Sequence, residues 1–410
     1  MRLLRNTLRQ LLLDLKAQRM RTVLTTLGIV WGTAAVSLLL AFGQGLHHQL
    51  LKQQAGIGWG IVISWPSQTS MPFEGLGKGR RIRLDDDDMA LVRARVPELG
   101  DISSEYGDTL KVQSGRRTLA VGVSGVQPPF GEMRNIIAQS GGRFLNPIDE
   151  AQKRRVAFLG NELAEQLFGA SGAVGQELRI HGSPFTVVGV MQEKEQNSSY
   201  SGRDKDKIFI PAATMQALTG QKFLDNFIFR AKRVEDTKQV TDEVRAALAG
   251  KHRFDPDDKE ALATWDTSEG AKFINIFMLA FQIFLGVVGS LTLVVGGIGV
   301  SNIMNVVVEE RTREIGIKMA LGARGKSVLG QFLLETLFVT GVGGMLGFSI
   351  TAGICAVFPA LGMGKYVGDP TFSPVVGLVT ATLLGLIGLV AGYFPARTAS
   401  TLDPVVAMKM

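Results

Sequence analysis

Four long stretches without a charged residue constrain this chain more than any other feature of its sequence. They cover residues 22–46, 273–308, 336–364 and 370–396. A helix needs roughly 20 apolar residues to cross the hydrocarbon core of a bilayer, and each stretch is longer than that. A lone spanning segment must be helical, because lipid offers no partner for free backbone N–H and C=O groups. The sequence therefore predicts an α-helical membrane protein with four transmembrane helices.

The basic residues indicate how these helices are oriented. Segment 44–272 carries 30 Lys and Arg against 30 Asp and Glu, so the net charge of +7 arises in the membrane part. Six basic residues precede the first stretch, five lie in 309–327 and two follow residue 395. Basic loops stay on the cytoplasmic side. We therefore expect both termini and 309–327 in the cytoplasm and 44–272 outside, with no nucleic acid as a partner.

The charge-free stretches and the basic residues between them divide the chain into nine segments. Leu4, Leu8, Leu11 and Leu15 form an apolar stripe, which predicts an amphipathic helix on membrane lipid before a retained first span. The predicted segments are this cytoplasmic amphipathic helix at 1–20, the first span at 21–43, an outer domain at 44–272, the second span with an extended stalk at 273–308, a cytoplasmic helix and loop at 309–327, the third span at 328–358, a short outer loop at 359–373, the fourth span at 374–394 and a cytoplasmic tail at 395–410.

The outer domain alternates sequence patterns typical of strands and of helices. Seven strand patterns occur, at 60–65, 117–123, 154–160, 177–180, 185–191, 207–211 and 226–232, and the helical patterns occur at 84–97, 159–169 and 234–250. The mixture predicts a large α+β extracytoplasmic domain inserted between the first two spans. Its 229 residues predict more than one subdomain. Segment 193–207 has Tyr200 as its one large apolar residue and is predicted to be a mobile loop.

The second apolar stretch is longer than a bilayer requires. Its 36 residues would extend about 54 Å as one helix, against a hydrocarbon core of about 30 Å. We expect the surplus to project outward as a stalk. There, Phe273, Ile276, Phe277 and Phe281 would pack against the outer domain or a second subunit.

Small residues predict where the membrane helices touch. Gly343 and Gly347 lie four apart in the third span, Gly388 and Gly392 lie four apart in the fourth, and Gly296, Gly297 and Gly299 cluster in the second. Spacings of this kind let two helix backbones approach closely. Four helices form a small bundle, so we also expect the protein to dimerise.

No arrangement of residues indicates catalysis or a bound metal ion. Cys355 is the single cysteine, and the four histidines lack metal-ligand spacing. Residues 320–327 fit a relaxed phosphate-loop pattern, but a phosphate loop needs a buried strand before it. We therefore interpret Gly322 as a helix stop and the following basic residues as a cytoplasmic basic anchor. The acidic run 85–88 lacks the ligand spacing of a calcium loop and instead favours a helix N-terminus.

Glu335 is an ionisable residue within the third predicted span. Such a residue is a functional candidate by default, because charge inside a bilayer is unfavourable. Its position near the cytoplasmic boundary favours a structural role, in which it reaches headgroup water or pairs with an arginine of the adjacent segment 309–327.

Segment 309–323 predicts a short amphipathic helix. Arg311, Arg313, Glu314 and Lys318 would form a polar surface, while Ile315 and Met319 lie four apart on another face. A helix of this length is marginal in isolation, so it needs a protein on which to dock.

These residues carry a resemblance to a known family. The sequence EERTREIGIKMALGA (309–323) resembles a motif of the FtsX-like permeases of MacB-type ABC transporters. QFLLETLFVTGVGGMLGF (331–348) is similar to the third span of that family, and GYFPARTASTLDPVVAMK (392–409) to its C-terminal ending. Two stretches of the outer domain, at 141–169 and 174–191, resemble the family's periplasmic core domain.

The resemblance implies a non-catalytic membrane subunit whose coupling helix sits in a groove of an ATP-binding-cassette ATPase. The matching residues are Glu310, Arg311, Thr312, Arg313, Glu314, Ile315, Lys318 and Met319. ATP and Mg²⁺ would be bound by the partner ATPase, and no cofactor by this chain. MacB-type proteins with a fused ATPase carry it at the N-terminus. This sequence opens with the amphipathic helix, so we expect the ATPase on a separate polypeptide.

The resemblance also implies a mode of action, mechanotransmission from the ATPase to a periplasmic domain. The protein would lie in the bacterial inner membrane, pair with a second permease copy, identical or related, and export a hydrophobic compound, peptide or lipid-linked molecule. A periplasmic adaptor and an outer-membrane duct are compatible partners. The alternatives are a lipoprotein-releasing permease, an FtsX-like regulator of cell-wall hydrolases, whose outer domain is usually smaller, and a purely structural anchor.

Overall fold

The computed structural model describes residues 19–169, 172–196 and 199–409. The predicted amphipathic helix at 1–20 therefore lies almost wholly outside the described residues. The chain forms two compact units. One, the α+β unit, is Leu50–Ile274, and the other, the helical unit, comprises the residues before and after it.

The helices and strands are numbered here in chain order. In order they are α1 (Arg19–Ala55), β1 (Ile61–Pro66), α2 (Asp86–Arg95), β2 (Leu99–Ser114), β3 (Arg117–Val126), α3 (Pro129–Met133), α4 (Pro147–Ala151), β4 (Val156–Leu159), α5 (Asn161–Phe168), β5 (Glu177–Ile180), β6 (Ser183–Val190), β7 (Ile208–Pro211), α6 (Ala212–Thr219), β8 (Asn226–Ala231), α7 (Thr237–His252), β9 (Leu262–Asp266), α8 (Thr267–Glu310), α9 (Thr312–Ala320), α10 (Gly325–Val357), α11 (Gly364–Val367), α12 (Pro374–Ser400) and α13 (Pro404–Lys409).

Four helices in the described part of the chain are long and apolar enough to cross a membrane. They are α1, α8, α10 and α12, which agrees with the four predicted spans. The sequence explains their ends: Ser373 caps α12, because its hydroxyl accepts a hydrogen bond from the N–H of Val376, and Pro374 follows at the first helical position. Both α1, which reaches Ala55, and α8, which begins at Thr267, extend beyond the predicted spans.

Glycines allow α1 and α8 to pack closely. A Cβ atom added to Gly296 would lie 3.0 Å from the carbonyl oxygen of Gly28, and one added to Gly289 would lie 3.0 Å from Val36. The paired residue numbers rise on α1 as they fall on α8, so the two helices are antiparallel. Gly299 has no atom within 4 Å of such a Cβ, so it does not mark a contact in this chain.

The glycine pairs of the third and fourth spans lie at two different contacts. On α10, Gly343 faces Ile29 of α1, and Gly347 faces Thr33 of α1. On α12, Gly388 faces Thr340 of α10 at 3.0 Å, and Gly392 faces Thr336 of α10 at 2.8 Å. Each of these distances refers to an added Cβ atom, so a larger residue at any of the four positions would push two helices apart.

The α+β unit is built on one nine-stranded sheet of order β3-β7-β4-β6-β5-β2-β8-β1-β9. β2 also pairs with β3, from Glu105 opposite Val126 to Ser114 opposite Arg117, which closes the first six strands into a ring. β3–β7 and β4–β6 are parallel, and the other pairs are antiparallel. Residues Leu50–Ile274 form one compact unit of the chain.

Hydrophobic clusters cover both faces of this sheet. Alternate residues of β8 show the division, because Phe227 and Phe229 join a large cluster whereas Ile228 joins a smaller one. The sequence predicts seven of the nine strands but misses β2 and β9. The first half of β2 reads LGDISSEYG, whose polar and glycine residues hide a strand of 16 residues.

The loop between β6 and β7 is anchored, which corrects the prediction that it is mobile. Its Asp204 is 2% exposed and accepts hydrogen bonds from Arg134 at 2.9 Å. Lys194 lies 2.7 Å from the same carboxylate. Tyr200, also in this loop, donates a 2.5 Å hydrogen bond to the buried Glu105 of β2. The described part of the loop is therefore fixed to the sheet by buried polar contacts.

The acidic run at 85–88 begins a helix, as predicted. Asp85 is the N-cap of α2, and its side chain accepts a hydrogen bond from the N–H of Asp88. The carboxylate of Asp88 in turn accepts one from the N–H of Asp85, which completes a capping box. No cluster of metal-ligating side chains occurs among residues 19–169, 172–196 and 199–409.

Candidate functional site

The junction between α8 and α9 places the predicted coupling helix. α8 ends at Glu310, Arg311 adopts a non-helical conformation, and α9 begins at Thr312. The hydroxyl of Thr312 donates to the carbonyl of Val308 at 2.9 Å, and the N–H of Ile315 donates to the carbonyl of Arg311 at 2.9 Å. A single non-helical residue thus separates the two helices while the backbone groups around it stay bonded.

Glycine ends α9, as the sequence predicts. Gly322 has φ of +94°, a conformation that favours glycine, and its N–H donates to the carbonyl of Met319 at 3.0 Å. α10 then begins at Gly325, where an added Cβ atom would lie 2.7 Å from the carbonyl oxygen of Ser400. Residues 320–327 therefore join two helices, with no strand before them, which excludes the geometry of a phosphate loop.

One face of α9 is used to attach the helix to its own chain. Ile315 is 4% exposed and lies in a hydrophobic cluster with Val328 and Phe332 of α10. Met319 packs against the same cluster, and Thr312 is buried. α9 also packs against α13. Ile315 and Met319, the apolar pair that the sequence places on one face of this helix, therefore pack on the chain's own helices.

The opposite face of α9 is exposed and mixes charged with apolar side chains. Arg313, Glu314 and Glu310 are exposed, and Lys318 forms a 2.8 Å ion pair with Glu314. Ile317 is 45% exposed and Leu321 is 84% exposed. These two residues are not among those predicted from the sequence, although their spacing of four places them on one helix face, as it does Ile315 and Met319. We call Arg313, Glu314, Ile317 and Leu321 the outer face of α9.

Glu335 pairs with the start of this segment, as one of the two interpretations predicts. Its carboxylate is 7% exposed within α10 and lies 3.5 Å from the guanidinium of Arg311. Gln331 donates to the same oxygen at 3.5 Å. A charge in this position needs a partner, and Arg311 supplies one. The pair also connects the turn before α9 to α10, so it helps to hold α9 in place.

Two family models match this chain. Residues 22–247 match the MacB-like periplasmic core domain, and residues 286–404 match the FtsX-like permease C-terminal domain. The chain belongs to the family of MacB-type, FtsX-like permeases. The second match includes the whole of α9 and the Arg311–Glu335 pair of this permease.

Relatives align over almost the whole permease chain. The macrolide export ATP-binding/permease protein MacB of Azoarcus sp. (strain BH72) is 34% identical over 401 residues, which cover 96% of this chain and 58% of the relative. The protein of the same name from Bdellovibrio bacteriovorus is 29% identical over 398 residues, which cover 96% of this chain and 60% of the relative. The permease thus spans about three fifths of the length of these relatives.

Solved structures resemble the permease over about half of its length. The periplasmic region of MacB from Actinobacillus actinomycetemcomitans is 14% identical, covers 55% of this chain and 97% of that one, and has a TM-score of 0.44. The extracellular domain of the noncanonic ABC-type transporter YknZ from Gram-positive bacteria is also 14% identical, covers 50% of this chain and 100% of that one, and has a TM-score of 0.42.

Proposed function

We propose that this permease transmits the ATP-driven motion of an ATP-binding-cassette partner to its α+β unit, and that α9 is the element that contacts the partner. ATP and Mg²⁺ would be bound by that partner. The single observation that carries the proposal is the outer face of α9. There, Ile317 and Leu321 stay exposed on a helix whose other face is fixed to the permease.

The chemistry of this face supports a protein partner. Exposed large apolar side chains with charges beside them are typical of interfaces, in which an apolar anchor fills a pocket and the charges select the partner. Leu321 leaves 84% of its surface exposed, more than any other large apolar residue of this segment. A lipid surface would not need the ion-paired Glu314 and Lys318 beside it.

The path of the motion follows from the connection of α9 to α8. A single residue, Arg311, separates the two helices, and α8 then continues without a break for 44 residues back to β9. A displacement of α9 would therefore act on the end of a long rigid helix. The Arg311–Glu335 contact and the burial of Ile315 connect α9 to α10 as well, so the whole helical unit would respond.

The orientation follows from charge. The basic residues around α9 and α13 support a cytoplasmic position for these helices, with the α+β unit on the other side of a bacterial inner membrane. The substrate is a hydrophobic compound, peptide or lipid-linked molecule that is exported from the periplasm, in line with the names of the relatives, which are macrolide export proteins. A periplasmic adaptor and an outer-membrane duct would complete the export path.

The experiment measures stimulation of the ATPase by the permease in proteoliposomes. The variants Ile317→Asp and Leu321→Asp place a charge at the centre of the proposed interface. Loss of one apolar anchor of about 2 kcal/mol weakens binding roughly 30-fold. At a partner concentration equal to the Kd of the parent protein, we therefore expect stimulation to fall from about half of its maximum to about 3%.

The matched control is Ile137→Asp, because Ile137 is a comparably exposed isoleucine, at 54%, in the α+β unit. This variant should stimulate normally. Arg313→Glu tests the charge of the outer face alone. A change at Arg311 would also break the contact with Glu335. Full stimulation by both aspartate variants would show that α9 does not contact the ATPase.

A further inference from the structure

β9 leads directly into α8 at the edge of the sheet in the α+β unit. The strand ends at Asp266 and the helix begins at Thr267, so no residue connects the two elements. β9 is the last strand in the sheet order, and its partner is β1. An edge strand has hydrogen-bonding partners on one side alone, so a helix that continues from it needs further contacts to stay fixed.

The hydroxyl group of Thr267 provides such a contact. The ladder between β1 and β9 ends with Val62 opposite Asp266, and one step further along it Ile61 would lie opposite Thr267. The hydroxyl accepts a hydrogen bond from the N–H of Ile61 at 3.1 Å and donates one to the carbonyl of Ile61 at 2.9 Å. In an antiparallel pair, the backbone of the opposite strand residue makes these two bonds. The side chain of Thr267 thus continues the ladder while its backbone begins the helix.

Thr267 also contacts the last turn of α1. The side-chain nitrogen of Gln54 donates to the backbone carbonyl of Thr267 at 3.3 Å. A Cβ atom added to Gly270 would lie 2.9 Å from that nitrogen, so the first turn of α8 touches the last turn of α1. The carboxylate of Asp266 accepts a hydrogen bond from the N–H of Ser268 at 2.7 Å and caps α8. Two strands and the ends of two long helices therefore meet at Thr267.

Burial makes the hydroxyl difficult to replace. Thr267 is 2% exposed and Ile61 is 0% exposed, so water cannot take over the two hydrogen bonds. A valine at position 267 would have nearly the same shape, but it would leave the N–H and the carbonyl of Ile61 without these partners. The connection from α1 to β1 is not a rigid substitute, because it is five residues long and contains Gly58 and Gly60, whose φ angles are +124° and +62°.

We propose that Thr267 is a positioning residue, whose hydroxyl makes α8 and β1 move as one body. The inference rests on the proposed function and adds to it the point at which motion enters the α+β unit. Without the hydroxyl, α8 would be joined to the sheet through β9, and the junction would act as a hinge. With it, a displacement of α8 reaches β1, which lies inside the sheet between β8 and β9.

The first measurement is the distance between two spin labels on one chain, without an ATPase partner and in a Cys355→Ser background. Lys272→Cys places a label on α8, and Lys111→Cys places one on β2, and both positions are exposed. Labelled chain is diluted with unlabelled chain, so that distances within one chain are measured. We expect a single narrow distance distribution in the parent protein and a broad or divided one in Thr267→Val.

Two further variants separate this role from a general effect on stability. Thr267→Ser keeps the hydroxyl and should restore the narrow distribution. Thr237→Val is the matched control, because Thr237 also begins a helix, α7, and is also 2% exposed, but its hydroxyl donates to the carbonyl of Val234, three residues away. It should leave the distribution narrow. A narrow distribution in Thr267→Val, or an equally broad one in Thr237→Val, would overturn the proposal.

The second measurement keeps the proposal testable if Thr267→Val does not fold. Hydrogen exchange of the Ile61 amide, resolved to single residues, reports its bond to Thr267 directly. In the parent protein and in Thr267→Ser, this amide should exchange as slowly as the neighbouring amides of β1. Loss of one hydrogen bond should make it exchange about tenfold faster in Thr267→Val. Fast exchange of the Ile61 amide in the parent protein would by itself overturn the proposal.

The third measurement adds the ATPase partner and ATP in proteoliposomes. Thr267→Val should stimulate the ATPase normally, because α9 is unchanged. ATP should alter the distance between the two labels in this variant, whose junction bends, and should leave it constant in the parent chain. A distance that changes in the parent chain, or in neither chain while stimulation is normal, would overturn the proposal. Failure of the proposed function would instead appear as absent stimulation by the parent chain.

Discussion

At the residue scale, Arg134 shows how a buried charge fixes one loop of the α+β unit. Its side chain is 1% exposed, donates to both oxygens of Asp204 at 2.9 Å, and lies over the ring of Tyr200 at 4.7 Å. Burial alone raises the pKa of Asp204, but Arg134 and Lys194 outweigh it and hold that pKa below its usual value. The carboxylate therefore stays ionised and keeps the β6–β7 loop on the sheet.

The first prediction concerns this ion pair. Asp204→Asn leaves two buried cations, Arg134 and Lys194, without their counter-charge, and breaking a buried pair in this way costs about 3–5 kcal/mol. We expect a clear fall in the thermal midpoint of the purified full chain. The control is Asp242→Asn, because Asp242 pairs with Arg245 but is 60% exposed, and such pairs contribute about 0–1 kcal/mol. Equal midpoints for the two variants would contradict the prediction.

The second prediction is that the stability of the fold depends on pH through the ionisation of Asp88. Burial opposes its ionisation, but hydrogen bonds from His252 and Lys251 outweigh burial and lower the pKa of Asp88 to about 2. Because this pKa lies below that of an unfolded aspartate, near 3.9, the ionised group stabilises the fold above about pH 4. This contribution is lost as the pH falls from about 4 to about 2.

Thermal unfolding between pH 6 and pH 2 checks this. The difference in midpoint between the parent protein and Asp88→Asn should be largest near pH 6 and should shrink toward pH 2. Asp87→Asn is the control, because Asp87 is the exposed neighbour in the same run. If the difference in midpoint between the parent protein and Asp88→Asn stayed constant over this range, Asp88 would not be the source of the pH dependence.

At the scale of elements, glycine contacts decide how closely the membrane helices pack. A Cβ atom at Gly347 would lie 2.8 Å from the Cβ atom of Thr33, and 2.9 Å and 3.1 Å from backbone atoms of Val30 and Ala34. Backbone atoms within a helix cannot move aside as a flexible side chain can. α10 would therefore have to shift away from α1.

The third prediction compares two substitutions in α10. Gly347→Ala should lower the thermal midpoint of the detergent-solubilised protein, because overpacking of this kind costs roughly 1–3 kcal/mol. Gly353→Ala is the matched control in the same helix, since no atom lies within 4 Å of a Cβ added there. It should be neutral or stabilising by up to about 1 kcal/mol, from helix propensity. A midpoint for Gly347→Ala as high as that of the control would argue against close packing of α10 on α1.

At the scale of the whole molecule, the distribution of charge sets the orientation in the membrane. The basic residues of 309–327 lie near one end of the membrane helices, and the nearly neutral α+β unit follows the other end of α1. Moving the basic segments across a bilayer is unfavourable, so the orientation proposed above is the one that the charges favour.

The fourth prediction tests this orientation with single thiols in a Cys355→Ser background. Glu165 is exposed in the α+β unit, and Lys326 is exposed near the start of α10. A membrane-impermeant maleimide should label Glu165→Cys in intact spheroplasts and Lys326→Cys only after permeabilisation. The reverse pattern would place α9 outside the cell and would exclude its contact with an ATPase.

The sequence by itself determined the four apolar helices, the mixed character of the α+β unit, the Gly322 helix stop and the membership of the permease family. These features are local, because hydropathy, turn residues and short motifs act over neighbouring positions. Seven of nine strands follow from the same local patterns. β2 cannot be predicted from such patterns, because its polar residues do not indicate a strand by themselves. It pairs with strands up to 132 positions away, as Leu99 does with Ala231.

Only the tertiary structure decided which of two equally spaced apolar pairs on α9 faces inward. Ile315 and Met319 pack on the helical unit, and Ile317 and Leu321 stay exposed. It likewise brought Arg311 to Glu335, across 24 positions, and anchored Asp204 on Arg134, across 70. The physical reason is the same in each case. A helix or loop has several faces that its own sequence permits, and contacts with distant segments select the one that is buried.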